Sequence, residues 1–265
     1  MKQIIWFLIC TFSLTYLSHG VLAYVTTTHD VAFNSFIGQS LFIIGGSSPT
    51  VFAIIFVLRQ RDATAIKAFK KKLFSINYSF SFWFFAIGIP VFLGGLFQLL
   101  YIWLSNHTFY SDVPFYFFFM VLFTSILFGG IEEIGWRGFL QERLMTRTSL
   151  VSMAVLIGIV WGLWHVPLFF IENVSHYTFG FLPFMLGAIM FSTYLTWLYA
   201  KTKSILLTII FHASINASAV IGLGLMFNHT LLTYTIIIGF MLLGFYLLIS
   251  YKSSEKGNYD RIPYM

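Results

Sequence analysis

Charge is the first thing this chain has little of. Only 9% of its 265 residues are Asp, Glu, Lys or Arg, where soluble domains carry about 25%. Cysteine is down to one residue, which excludes an intrachain disulfide framework. Cys10 lies in an apolar run, where a lone thiol behaves as a small hydrophobe. No H-E-x-x-H zinc motif is present, and no internal repeat or low-complexity tract is evident. What is abundant is apolar surface: 58% hydrophobic residues, 20% aromatic, 33 phenylalanines and a mean hydropathy of +0.86. One soluble core of this length could not hide them, so composition predicts an all-α, polytopic transmembrane helical bundle. The pI near 9.4 would suggest nucleic acid in a soluble protein. Here the basic residues fall between apolar runs, where they set topology, and no nucleic-acid partner is expected.

A bilayer-spanning helix needs about 20 apolar residues. Candidate spans are roughly 4–25, 36–58, 80–104, 113–131, 150–171, 179–200, 204–226 and 231–250. With the N-terminus inside, the segments 1–3, 59–79, 132–149, 201–203 and 251–265 are cytoplasmic, and they hold all fifteen Lys and Arg. The outer loops then carry only Asp30, Asp112 and Glu172. This asymmetry predicts about eight spans and a cytoplasmic C-terminus in the cell membrane of a prokaryote. The first segment also reads as a signal peptide, because Val21-Leu22-Ala23 fits a small-residue cleavage pattern. Cleavage there leaves seven spans; retention as a first helix is the preferred reading. Residues 1–112 form the N-terminal helices, 113–226 a core that bears the chemistry, and 227–265 the last helix with a short tail. The basic loop 59–79 is expected to lie on the anionic headgroups of the bilayer.

Ionisable groups inside spans are costly and are functional candidates by default. Three clusters qualify. In "GGIEEIGWRG", Glu133 and Arg137 stand at i, i+4 and pair in the favourable order if the helix continues. Adjacent helical residues diverge by about 100°, so Glu132 points elsewhere without a local counter-ion. Such a carboxylate suits general acid–base work; an interfacial helix end is the bland alternative. In "WGLWHVP", His165 follows Trp161 by one turn, as a functional group or as a polar interhelical contact. In "FHASINASA", His212 and Asn216 share a face amid small residues. They are either glue in a packed interface or two donors to one developing oxyanion. Together the clusters form a hydrolase's inventory.

Taken in order, E-E-x-x-x-R, an aromatic-x-x-x-H and H-x-x-x-N resemble the CPBP family of intramembrane proteases, also called the CAAX protease and bacteriocin-processing (Abi) family. Glu132, Glu133, Arg137, His165, His212 and Asn216 match its pattern, and Trp161 stands where the family has phenylalanine. The resemblance covers about 113–220. It implies an endopeptidase acting on a membrane-associated peptide or protein, with Glu132 and His165 activating water. His212 and Asn216 would then stabilise the oxyanion, and the Glu133–Arg137 pair would hold Glu132. No cofactor is expected. Zinc on Glu132, His165 and His212 is the second choice, because it leaves no carboxylate as base except Glu133, which has Arg137 to satisfy. A non-catalytic scaffold or immunity factor and a proton-coupled transporter are the competing classes. One conflict follows from these boundaries. Straight helices place Glu132 at the inner interface and His165 roughly 20 Å deep, so span four must extend past Arg143 or span five must start below the core.

Overall fold

Hydrocarbon offers no water to backbone groups, so a spanning chain satisfies them within helices. Every regular element among the described residues is helical. The computed structural model describes residues 1–28, 31–105, 113–223 and 230–255. Asp30, Asp112, Lys256, Arg261 and positions 224–226 of the seventh expected span lie outside them. The helices are α1 (Lys2–Thr28), α2 (Phe36–Gly46), α3 (Ser48–Leu58), α4 (Ala63–Phe74), α5 (Phe80–Ser105) and α6 (Phe117–Leu127). They are followed by α7 (133–144), α8 (Leu150–Trp164), α9 (Phe181–Thr202), α10 (Ile205–Ser218) and α11 (Leu231–Glu255). Among the described residues, seven stretches are long and apolar enough to cross a membrane, and α2 with α3 would make an eighth across a 48° bend. Pro49, in the first turn of α3, supplies no N–H but is tolerated at that position. The protein is an integral membrane protein built as a polytopic bundle.

α9 is the central post. Tyr194, Leu195, Leu198 and Tyr199 on it are at most 1% exposed, and it packs against α8, α10 and α11. The outer faces carry lipid-directed residues such as Trp103, Phe119, Phe123 and Leu242, each at least 60% exposed. Large apolar groups at the surface are costless where the surrounding solvent is hydrocarbon. α1 is part of the bundle: Phe7 packs on Trp136 and Phe139. Thr15 accepts from the Trp164 indole at 2.7 Å and donates to the Gly45 carbonyl at 2.8 Å. α4 begins at Asp62, whose carboxylate accepts from the amides of Thr64 and Ala65.

The fourth span corrects the sequence reading. It runs from Phe117 to Leu144, not 113–131, so Glu132, Glu133 and Arg137 lie within it. Arg137 is therefore removed from the loop cations that set topology. The extension past Arg143 brings Glu132 to the depth of His165. The helix does not pass straight through. α6 stops at Leu127, and Gly129 adopts φ 158°, ψ −58°. A 3-10 turn, Gly130–Glu132, follows. Within α7 the stretch Trp136–Gln141 is π-helical, a deformation frequent at functional sites. α7 also sits unusually close to α3, since a Cβ on Gly135 would come within 2.6 Å of Pro49.

Candidate active site

Glu132 ends the 3-10 turn, and the residue is only 8% exposed. Its Oε2 accepts from the Trp161 indole N–H at 3.0 Å and, more weakly, from that of Trp136 at 3.4 Å. No cation pairs with it among the described residues. Trp161 thus does more than replace one aromatic wall with another: its N–H orients the carboxylate. Trp136 sits in the same short motif as Glu132, but only the folded turn shows that its indole points back.

Glu133 goes the other way and is fully buried. Its Oε2 is 2.9 Å from Arg137 Nη1, and its Oε1 accepts from His212 Nδ1 at 2.8 Å. Arg137 is also fully buried and donates from Nη2 to Ser192 Oγ on α9 at 3.1 Å. The division of labour between the two glutamates is as expected, but the attachments differ. The Glu133–Arg137 pair fixes His212, while two tryptophans hold Glu132. Ser192 carried no signal in the sequence, because one serine in an apolar helix is unremarkable until an arginine reaches it.

His165 caps the C-terminal end of α8, where Val166–Phe170 tightens into a 3-10 turn containing Pro167. Its Nδ1 lies 2.8 Å from the Trp161 carbonyl. A carbonyl only accepts, so Nδ1 carries the proton and a neutral imidazole leaves Nε2 as an acceptor. The same logic places a proton on His212 Nδ1. A Cβ built on Gly129 would lie 3.6 Å from His212 Nε2 and 2.5 Å from Asn216 Nδ2. Gly129 therefore lets the broken span approach the His212–Asn216 face of α10.

Glu132, His165, His212 and Asn216 all line one cavity of about 220 Å³. A second cavity of about 90 Å³ shares Glu132, His165 and Gly129 as lining. The structure thus brings together the four residues singled out for chemistry, with Trp161 beside them. Zinc fits poorly. Among the described residues no three His, Cys, Asp or Glu side chains converge as a ligand set. Glu132, His165 and His212 surround a space without forming a preformed metal site.

Comparison with known proteins points to the same stretch of the chain. Residues 114–218 match the model of the Type II CAAX prenyl endopeptidase Rce1-like family. That stretch contains every motif described above. Over that stretch, less than half of its length, the chain is similar to the family. A relative from Methanococcus maripaludis, named CAAX prenyl protease 2, is 41% identical over 104 residues. The match spans 36% of this chain and 38% of that protein. The matched residues run from α6 to the end of α10.

Proposed function

We propose that this chain is an intramembrane endopeptidase whose water is activated by Glu132 and His165 without a metal. One observation carries the reading. A carboxylate with no counter-ion, an imidazole with an acceptor nitrogen and a His–Asn pair line a single cavity. Peptide hydrolysis requires those groups to face one reacting centre. Glu132 takes a proton from the attacking water, and His165 Nε2 helps to orient it. The developing oxyanion is met by the Asn216 amide and by His212. For His212 to donate from Nε2 it must be an imidazolium, for which Glu133 is the counter-ion at 2.8 Å. The proton then passes to the leaving amine.

The substrate is a membrane-associated peptide or protein, and the relative's name makes a prenylated C-terminal peptide the first to try. α4 binds anionic headgroups: it carries Lys67, Lys70 and Lys71, while Lys72 is ion-paired with Glu142, and Phe74 at its end and Ile76 just beyond are more than 70% exposed. The Lys- and Arg-rich loops face the cytoplasm of a prokaryotic cell.

The test compares the peptide termini in membranes carrying wild type or Glu132→Gln. General-base loss should cost about 10²–10⁴-fold in rate, so uncut substrate accumulates only in the variant while its unfolding midpoint is unchanged. Identical termini in both membranes would favour a non-catalytic scaffold. Cleavage that stops on rigorous chelation and returns with zinc alone would sink the metal-free mechanism.

A further inference from the structure

Beside the four residues already assigned, the cavity has a fifth chemical group. The loop joining α8 to α9 folds into a 3-10 turn, Ser175–Thr178, that inserts His176 into the cavity wall. Its ring lies against that of His165, with centroids 5.2 Å apart and planes 17° from parallel. The other walls are Phe169, Phe179 and Phe184, at 5.6, 5.3 and 4.9 Å. His176 Nδ1 is closed off from solvent and has no hydrogen-bond partner, whereas Nε2 is not closed off and makes no hydrogen bond among the described residues. Burial, reinforced by His19, pushes the imidazole down to about 4, so the ring is neutral at physiological pH, with one donor and one acceptor nitrogen.

Phenylalanine would fill this cage of aromatic rings at no desolvation cost, whereas an unpaired buried ring nitrogen destabilises the fold. A ring kept at such a cost calls for a use of its open nitrogen, Nε2, and the partner the cavity admits is substrate. Leu168, Phe179 and Phe184, which line the cavity with it, are apolar, so Nε2 is a polar anchor for a peptide backbone beside the His165 ring. Resting on the peptidase reading above, we propose that His176 is a substrate-binding residue: its ring nitrogen hydrogen-bonds a main-chain group of the bound peptide next to the scissile bond. It sets affinity for the peptide rather than the rate of the chemical step.

The probe is a synthetic peptide spanning a bond that wild-type membranes cut and Glu132→Gln membranes leave intact. His176→Phe keeps the ring and removes both nitrogens; His176→Gln keeps a donor and an acceptor. For His176→Phe, KM should rise about tenfold, equivalent to about 1.4 kcal/mol, with kcat within about twofold and an unfolding midpoint no lower than wild type. His176→Gln should recover part of the affinity. An unchanged KM in His176→Phe overturns the assignment. So does a lower kcat at constant KM, which would make His176 a positioning residue for His165. If no bond distinguishes the two membranes, the peptidase reading itself fails, and this one with it.

Discussion

The buried ion pair of α7 allows a prediction with a magnitude. Arg137 and Glu133 have no exposed side-chain surface and lie 2.9 Å apart. Glu133→Gln changes almost no volume but removes the charge that compensates the guanidinium. Arg137 then has only neutral acceptors, the new amide oxygen and the Ser192 hydroxyl at 3.1 Å, and its Nε has no hydrogen bond among the described residues. Breaking a buried pair from one side costs about 3–5 kcal/mol, because the remaining charge is left uncompensated. With about 2–4 °C per kcal/mol for a chain of this size, the unfolding midpoint should fall by roughly 6–20 °C. The assay is reversible unfolding in mixed micelles, followed by tryptophan fluorescence, for Glu133→Gln, Arg137→Met and the double variant. The double variant should recover most of the loss, since no unpaired charge remains, yet it should stay inactive because His212 has lost its 2.8 Å partner. A loss below about 1 kcal/mol for Glu133→Gln would put the pair in the range of solvated surface ion pairs, and the buried-anchor argument would be refuted. Additive losses in the double variant would refute it equally.

Two further outcomes follow from the same geometry. Trp161→Phe restores the aromatic found in the family pattern but deletes the indole N–H 3.0 Å from Glu132. A hydrogen bond to a charged group contributes about 1.5 kcal/mol or more, so turnover should drop about tenfold with little change in unfolding; full activity would show that Trp136 alone orients the carboxylate. In Gly129→Ala the new Cβ would stand 2.5 Å from Asn216 Nδ2, at the flexible end of a side chain. The fold should survive with a modest midpoint loss while cleavage is lost, and an active Gly129→Ala would remove Asn216 from the oxyanion site.

Much of the architecture was legible before any coordinates, and the one misplaced boundary shows the limit. Hydropathy ended the fourth span at residue 131 because two glutamates follow. Each acidic group counts as costly only when its partner is unknown, and the partners of Glu133 are Arg137 one turn on and His212 79 residues away. A window along the chain cannot see the second of these. The same blindness hid Trp136, Ser192 and His176, whose side chains are ordinary until a turn, a facing helix or a loop aims them.

What the sequence determined by itself is everything that depends on the solvent and on local spacing. Apolar runs of bilayer length fixed the helical, membrane-spanning class, and the i, i+4 and adjacent-residue offsets separated Glu133 from Glu132 and joined His212 to Asn216. Tertiary structure alone decided which groups act on each other. The break at Gly129, the 3-10 turn and the π-helical stretch set the depth and direction of Glu132, and interhelical hydrogen bonds chose its indole partners and the anchor of His212. The physical reason is that backbone geometry is written by neighbours in the chain, whereas the satisfaction of a buried charge is settled by whichever helices pack beside it.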